Sequence, residues 1–256
     1  MGIVNVTPDS FSDGGRHLQP EAAAVAARRM LDEGAAIVDI GGESTRPGSA
    51  GVALDEELRR VVPVLELLHD LPLSIDTAKA EVARRALELG VELVNDVTAL
   101  RGDEELAGIV ADAGAYLCLM HMQGEPRTMQ HAPRYDDVAS EVAAFLEGRL
   151  GVAIAAGVPE ERICIDPGIG FGKTAEQNFE LVRRLDVLLA LGRPVLVGLS
   201  RKSSLGSLFD PGARTGTLAA SLGAAVAAFE RGASIFRVHD VREHVEALTA
   251  AVAVSA

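Results

Sequence analysis

The sequence lacks any long apolar segment. No uninterrupted run approaches the ~18 residues that a membrane-spanning helix needs. The chain also begins with a strand-like stretch rather than with the basic and apolar residues of an export signal. These absences argue against a membrane-spanning or exported protein, so we expect a cytoplasmic protein with no membrane partner.

Cysteine is scarce as well. The two cysteines, Cys118 and Cys164, lie inside apolar stretches and show no CxxC spacing. Such thiols are typical of buried positions in a reducing compartment rather than of disulfides or metal sites. We therefore expect neither cysteine to act as a nucleophile.

Basic residues are outnumbered by acidic ones. The chain has 24 Lys and Arg against 37 Asp and Glu, which gives a formal net charge of −13. A surface this acidic repels nucleic acid and anionic membranes, so we expect neither as a partner. An anionic ligand would therefore need a local cluster of basic side chains.

What the sequence does contain is one rhythm repeated to its end. Strand-length apolar runs occur eight times, and after each one a polar loop leads into a segment with helical periodicity. The predicted strands cover residues 2–6, 36–40, 73–75, 93–94, 115–120, 163–165, 195–199 and 235–238. The predicted helices cover residues 21–33, 54–69, 79–89, 104–113, 137–156, 176–189, 215–231 and 241–252.

Eight strand-helix units favour a closed barrel. A (β/α)8 barrel typically needs ~250 residues, and this chain has 256. No linker, low-complexity tract or change in composition divides it. We therefore predict an α/β fold, a single TIM-barrel domain over residues 1–256, with its site at the C-terminal ends of the strands.

Polar residues follow the predicted strands at their C-terminal ends. In a β/α barrel these ends converge on one face, where barrel enzymes carry their active sites. A single Asp or Asn after a strand usually caps the next helix, so the repeated pattern is more informative than any one residue. The residues concerned are Asn5, 41–46, Asp76, Asn95 with Asp96, His121, Asp166, 200–202 and Arg237 with His239.

The stretch 163–174 is the most distinctive of these strand ends. It runs as an apolar strand into Asp166 and then breaks into alternating glycines, which let a ligand approach the backbone closely. It is not a phosphate loop, because proline stands at 167 where the first glycine is required. It is not a dinucleotide fingerprint either, because its spacing is GxGxG. We predict a ligand-binding loop.

The first two loops after strands are unusually long. They cover 7–19 and 41–54, whereas such loops usually have about 2 to 6 residues. Each is rich in Gly, Ser, Pro and Asp and offers one candidate anchor, Phe11 in the first and Arg46 in the second. This composition is typical of lids that cover a pocket and exclude water.

Eight motifs together resemble the dihydropteroate synthase family, and they occur in the order found in that family. They are NVTPDSFSDGG at 5–15, GGESTRPG at 41–48, SIDT at 74–77, ND at 95–96, LMHMQG at 119–124, DPGIGFGK at 166–173, SRKS at 200–203 and RVHDV at 237–241. The resemblance implies a barrel enzyme that condenses 6-hydroxymethyl-7,8-dihydropterin diphosphate with 4-aminobenzoate. The products are 7,8-dihydropteroate and diphosphate, in folate biosynthesis.

The resemblance also implies roles for individual residues, and a family homodimer. The implied substrate-binding residues are Asp76, Asn95, Asp166 and Lys202 for the pterin, Arg237 and His239 for the diphosphate, and Thr45, Arg46, Phe171 and Ser203, with Phe11 and Pro47, for 4-aminobenzoate and the lids. The implied catalytic residues are Asp166, Lys202 and Arg237, and the implied ligand of a Mg²⁺ cofactor is Asn5. Asp166 would then oppose the positive charge of a cation-like pterin methylene group.

Two other functions share parts of this pattern. A pterin-binding methyltransferase that uses methyltetrahydrofolate shares the barrel and the pterin contacts, but it needs neither these lids nor a diphosphate site such as Arg237 with His239. A non-catalytic paralogue would show a degraded lid or a missing Lys202. Asp39 and Glu43 stay open, because each suits either the pocket lining or a hydrogen bond that holds the second loop.

Overall fold

The computed structural model describes residues 1–7, 20–44, 49, 51–125 and 127–255. Within these ranges eight strands alternate with ten α-helices. The strands are β1 Gly2–Asn5, β2 Val38–Gly41, β3 Leu73–Asp76, β4 Leu93–Asp96, β5 Tyr116–Met120, β6 Ile163–Asp166, β7 Leu196–Val197 and β8 Ile235–Phe236. The helices are α1 Pro20–Asp32, α2 Leu54–Leu68, α3 Ala80–Glu88, α4 Leu106–Ala113, α5 Val138–Ala155, α6 Ala175–Arg183, α7 Leu185–Leu189, α8 Ser203–Gly206, α9 Leu218–Phe229 and α10 Val241–Ser255.

The strands form a parallel sheet in chain order. Strands β1 to β6 make one six-stranded sheet, and β7 pairs with β8. Single parallel bridges join the two sheets at both seams, between Gly2 and Val238 and between Ile165 and Val195. The fold is therefore a (β/α)8 barrel, as predicted, in which β7 and β8 are shorter than the apolar runs that contain them.

The helices pack on the sheet through apolar stripes of helical spacing. Helix α2, for example, buries Val61, Val64, Leu65 and Leu68, which lie three or four residues apart on one face. These side chains belong to one large hydrophobic cluster between the helices and the outer face of the barrel. None of the described helices has the length and apolar character that crossing a membrane requires.

The helical prediction differs from the structure most clearly at residues 176–189. The predicted helix 176–189 is two helices, α6 and α7, which meet at Arg184. The backbone of Arg184 leaves the helical region there, with φ −111° and ψ 38°. Its guanidinium donates to both carboxylate oxygens of Asp137, just before α5, at 3.0 Å. This long-range contact is not visible in helical periodicity. The predicted helix 215–231 also begins later, at Leu218.

The two cysteines are buried, as predicted. Cys118 and Cys164 are register partners on β5 and β6, and both are buried free thiols. Hydrogen bonding with Cys164 and burial raise the pKa of Cys118 well above its usual range. A thiol that resists ionisation in this way is unsuited to nucleophilic attack.

Candidate active site

The C-terminal strand ends bring four positions into one row. The parallel register pairs Asn5 with Gly41, Gly41 with Asp76, and Asp76 with Asn95. Because paired residues of neighbouring parallel strands face the same side, these side chains lie in one layer. Asp76 and Asn95 are buried, whereas Asn5 is partly exposed. The first four strands thus converge on one face, as the sequence predicts.

A network of buried charges lies directly below this row. Asp39, which is fully buried on β2, accepts hydrogen bonds from Ser74 Oγ at 2.6 Å and Asn95 Nδ2 at 3.0 Å. Arg237 Nε donates to the same carboxylate at 2.6 Å, and Arg237 Nη2 donates to Asp76 Oδ2 at 2.8 Å. One guanidinium therefore connects β2, β3 and the residue after β8.

The charges in this network perturb one another strongly. Burial alone would lower the pKa of Arg237, but the carboxylates of Asp39 and Asp76 outweigh it and raise that pKa. Burial raises the pKa of Asp76 to about 7, although Arg237 opposes the shift. One cation beside two carboxylates leaves acceptor capacity unused, so this floor suits a ligand edge that is rich in N–H donors.

The glycine loop after β6 lies against the loop after β5. Gly168 and Gly172 have φ of +66° and +62°. A Cβ on Gly168 would lie 1.9 Å from the carbonyl oxygen of His121, and one on Gly172 would lie 2.4 Å from that of Gln123. Only glycine permits both the positive φ and the close approach. The sequence therefore needs glycine here for packing as well as for ligand access.

Hydrogen bonds fix the same loop from several sides. The amide of Gly168 donates to Asp166 Oδ1 at 2.7 Å, and the amide of Gly170 donates to Asn178 Oδ1 at 2.8 Å. Gln130 Nε2 donates to the carbonyl of Gly170 at 2.7 Å, and the hydroxyl of Tyr135 to that of Gly172 at 2.9 Å. The loop is therefore a rigid element that presents Asp166 at one end and Phe171 near the other.

Lys202 extends across this loop from the loop after β7. A Cβ on Gly170 would lie 3.2 Å from Lys202 Cδ, and Lys202 Nζ lies 4.4 Å from the centre of the Phe171 ring. This distance is that of a cation–π contact. Burial raises the pKa of Asp166, while the Gly168 amide and the charge of Lys202 oppose that shift. Asp166, Phe171 and Lys202 thus form the second half of the site.

The residues after β7 and β8 contact each other through His239. Its backbone amide donates to Ser200 Oγ at 3.2 Å, and its Nδ1 lies 3.1 Å from the same hydroxyl. An ion pair between Arg201 and Asp240 spans the same two loops. These contacts place the His239 ring just before α10, beside a helix N-terminus that favours anions.

Some of the predicted site residues are described and some are not. Asp76, Asn95, Arg237 and Asp39 form one contiguous group, and Asp166, Phe171 and Lys202 form another. Ser203 is the exposed first residue of α8. The remaining residues of this set, which lie outside the described ranges, are Phe11, Thr45, Arg46 and Pro47.

Two strand-end residues have structural contacts. The carboxylate of Asp96 accepts hydrogen bonds from Thr98 and from the amide of Leu100, so this residue caps its own loop. Glu43 pairs with Lys79, which also contacts the fully buried Glu57. Of the two roles left open for Glu43, the structure supports the one that holds the second loop.

Three buried residues of the site were left without a definite role by the sequence. Asp39 interrupts the predicted apolar strand of residues 36–40. A charge in such a position requires a partner, and this is the signal that could have assigned it. Lys173 and His121 belong to motifs named above, and nothing in their spacing shows that their side chains meet. Their contact depends on two loops that are 52 positions apart.

Comparison with known proteins agrees with this geometry. A family described as pterin binding enzyme matches residues 1–239, which include every strand of the barrel. The dihydropteroate synthase of Escherichia coli K12 is 46% identical over 251 residues, covering 97% of this chain and 88% of that protein. A Xanthomonas albilineans dihydropteroate synthase with 4-aminobenzoic acid has a TM-score of 0.91 and 49% identity, covering 100% of this chain and 92% of that one. A structure from the same organism with 7,8-dihydropteroate has a TM-score of 0.88, 47% identity and the same coverage.

The buried network generates a prediction for stability. Asp39→Ala leaves Arg237 without one of its two carboxylates, so we expect the free energy of unfolding to fall by about 3–5 kcal/mol. The control is Asp70→Ala, because Asp70 belongs to an exposed ion pair in which its Oδ1 lies 3.9 Å from Arg28 Nη2. Its loss is expected to cost less than about 1 kcal/mol. Urea unfolding measures both, and equal losses would contradict the central role of Asp39.

The glycine loop generates a second prediction. Gly168→Ala introduces a Cβ into the His121 carbonyl at a positive φ, so we expect a loss of about 2 kcal/mol or more in the free energy of unfolding. Gly148→Ala in α5 is the matched control, because a Cβ there meets no atom within 4 Å. It should stabilise the protein by about 0.5–1 kcal/mol. Urea unfolding midpoints that move in the same direction would refute the packing argument.

Proposed function

The chain belongs to the pterin-binding enzyme family and has the activity of a dihydropteroate synthase, and from this premise we propose how its residues carry out the reaction. The substrates are 6-hydroxymethyl-7,8-dihydropterin diphosphate and 4-aminobenzoate, and the products are 7,8-dihydropteroate and diphosphate. The observation that carries the proposal is the convergence of Asp76, Asn95 and Arg237 with Asp166, Lys202 and Phe171 on one face of the barrel.

The pterin ring lies between the two halves of the site. Its N–H groups donate to the carboxylates of Asp76 and Asp166, and the side-chain amide of Asn95 contacts the same edge. Lys202 contacts the ring from the opposite side. The acceptor capacity left by the Asp39–Arg237–Asp76 network supports this assignment, because a pterin presents several N–H donors along one edge.

The diphosphate lies towards β8 and α10. Arg237 supplies a planar guanidinium that can bind phosphate oxygens in a bidentate manner, and His239 stands just before the N-terminus of α10. Ser200 orients His239 through the contacts described above. These groups stabilise the negative charge that develops as the diphosphate leaves.

The residues fit a Mg²⁺ ion that is shared with the substrate. Among the described residues, no group of three or more His, Cys, Asp or Glu side chains is placed to hold a metal. Mg²⁺ commonly uses one or two protein oxygens together with waters and substrate phosphates, so a single amide ligand, Asn5, is a suitable donor. When bound, the ion would supply positive charge to the departing diphosphate.

Bond cleavage at the pterin methylene precedes bond formation in the proposed mechanism. The C–O bond to the diphosphate breaks with its electron pair on the leaving oxygen, and the ring nitrogens delocalise the positive charge. The amine of 4-aminobenzoate then forms the C–N bond and loses a proton. The Asp166 carboxylate stabilises the cation electrostatically without forming a covalent bond.

The 4-aminobenzoate site completes the pocket. We assign it to Phe171 and Ser203 together with Thr45 and Arg46 of the second loop. Closure of the two long loops would exclude water, which otherwise captures the cation.

We propose that the protein is a cytoplasmic homodimer. The buried free thiols suit a reducing compartment. Leu208 and Phe209, between α8 and α9, and Leu218 on α9 are exposed apolar side chains that suit a dimer face. Sedimentation equilibrium that gives the mass of a monomer at micromolar concentration would contradict the dimer.

A direct assay tests the proposed reaction. The protein is incubated with the pterin diphosphate, 4-aminobenzoate and Mg²⁺, and both diphosphate release and dihydropteroate are measured. We expect product only when all three are present, and loss of activity with EDTA that Mg²⁺ restores. Binding of the pterin diphosphate without product would favour the non-catalytic paralogue. Methyl transfer from methyltetrahydrofolate in place of condensation would favour the methyltransferase.

The electrostatic role of Asp166 gives a separate prediction. Asp166→Asn keeps the shape of the side chain but removes its charge, so we expect kcat to fall roughly 10²-fold while pterin affinity changes much less. Steady-state kinetics and calorimetric binding of the pterin diphosphate measure the two effects. The control is Asp186→Asn, an exposed carboxylate on α7, which should leave both unchanged. Equal losses of kcat and affinity would contradict the electrostatic role.

A further inference from the structure

Lys173, which has no role in the mechanism above, is buried between two site loops. The residue is 2% exposed. Its Nζ donates to the carbonyl oxygens of Gly168 and Phe171, each at 3.0 Å, and lies 2.9 Å from His121 Nδ1. Two of these partners belong to the loop after β6 and one to the loop after β5. The lysine therefore connects the two loops where their backbones approach closely.

The surroundings of Nζ match the donors of an ammonium group. Burial, with the nearby charges of Lys173 and Arg101, lowers the pKa of His121 to about 3, so its imidazole is neutral and Nδ1 can accept a hydrogen bond. The ring is held in place by an edge contact with Phe145, 4.8 Å between centroids. A charged Lys173 has three N–H donors, and the three acceptors named above lie around it, with the His121 carbonyl oxygen further away at 3.4 Å.

The same contacts lead directly to the catalytic groups. Phe171 carries one of the carbonyls that bind Lys173, and its ring lies 4.4 Å from Lys202 Nζ. Gly168 carries another carbonyl, and its amide binds Asp166. The charge of Lys173 also favours the ionised form of the buried Asp166. Removing the ammonium would take away the Lys173 hydrogen bond from the Phe171 carbonyl, whereas the Gly168 carbonyl would keep the Phe171 amide at 3.0 Å. It would also leave Asp166 with one cation fewer.

We propose that Lys173 is a positioning residue for the condensation, whose buried ammonium group holds the Phe171 ring in place and fixes the Gly168 turn that binds the Asp166 carboxylate. The inference rests on the proposed function for its kinetic consequences, whereas the state of the ammonium group itself is measurable without turnover. Lys173 touches no reacting atom in this account and acts through the glycine loop and through its charge.

The charge of Lys173 should make the activity depend on pH. Burial lowers the pKa of Lys173 to about 7, and the carboxylate of Asp166 opposes that shift. The ammonium is therefore present below about pH 7 and is lost above it, so kcat/KM should fall as pH rises through this range. Asp76 titrates in the same range but gains charge as pH rises. The titratable and charged groups that face Lys173 and its partner His121 are Asp166, Lys202, Arg101, Tyr135 and His121 itself.

Two substitutions separate this role from a purely structural one. Lys173→Met keeps the length of the side chain without its charge, so we expect kcat to fall roughly 10²-fold and the KM for 4-aminobenzoate to rise. Lys173→Arg stays charged, so we expect its kcat to be at least about tenfold higher than that of Lys173→Met. We also expect the fall in kcat/KM above about pH 7 to disappear in Lys173→Arg. Arg183→Met, which removes an exposed cation from α6, is the control and should match the wild type.

Other kinetic results would overturn the proposal. One is wild-type kinetics in Lys173→Met. The other is an equal loss of kcat in Lys173→Met and Lys173→Arg, with the fall in kcat/KM above about pH 7 unchanged. If Lys173→Met does not fold, His121→Phe keeps the ring packing and removes one acceptor. For His121→Phe we then expect a higher KM for 4-aminobenzoate and a fall in kcat/KM that begins at lower pH than in the wild type. A fall in kcat/KM at the same pH as in the wild type would also overturn the proposal.

A lysine titration by NMR completes the test and does not depend on the proposed reaction. The lysines of the chain are Lys79, Lys173 and Lys202, so ¹³C labelling at Cε gives few signals, and Lys173→Arg assigns the relevant one. We expect Lys173 to titrate near pH 7 and Asp166→Asn to lower its midpoint further, because the opposing carboxylate is lost. A midpoint that Asp166→Asn leaves unchanged, or one near that of an exposed lysine, would overturn the coupling. If the wild type makes no dihydropteroate while this titration behaves as expected, the proposed function fails and the buried coupling stands.

Discussion

The contact of Arg237 with two buried carboxylates is the interaction on which the rest of the structure depends. Asp39 on β2 and Asp76 on β3 both bind the guanidinium of a residue that follows β8. The end of β8 is joined to β1 at the bridge between Gly2 and Val238, where the Ile3 amide donates to the Val238 carbonyl at 3.1 Å and the Val238 amide to that of Met1 at 2.9 Å. Because a buried charge is costly without its partner, the ion pairs favour closure at this seam. Closure of the barrel and assembly of the pterin and diphosphate sites therefore use the same side chains.

The other half of the site depends on a different constraint, which is the close approach of two loop backbones. Glycine at 168 and 172 lets the loop after β6 lie on the carbonyls of the loop after β5, and Lys173 occupies the space between them. The result is a preorganised surface with Asp166, Phe171 and the overlying Lys202 in fixed positions. Such preorganisation suits a reaction whose transition state develops positive charge, because no group has to move to meet that charge.

Much of this architecture is predictable from residue patterns. The same physical reasons explain which contacts the patterns do not predict. Eight apolar runs predict eight strands because burial selects them, and polar strand ends predict the site because parallel strands converge. The pattern does not show that Asp39 reaches Arg237, 198 positions away, because that contact depends on barrel closure. It does not show the Lys173–His121 contact either, since only the loop packing brings them together. Asp96 followed the same strand-end pattern but caps its own loop, so pattern alone cannot separate caps from site residues.

The most direct test of this account is a double-mutant cycle between Asp39 and Arg237, read out as affinity for the pterin diphosphate by calorimetry. Asp39→Asn and Arg237→Met each remove one member of the pair, and the double variant removes both. If Asp39 acts by holding Arg237 in place, the double variant should bind about as weakly as Arg237→Met alone, with a coupling free energy above about 1 kcal/mol. Additive losses would show that the two residues act independently and would contradict the account.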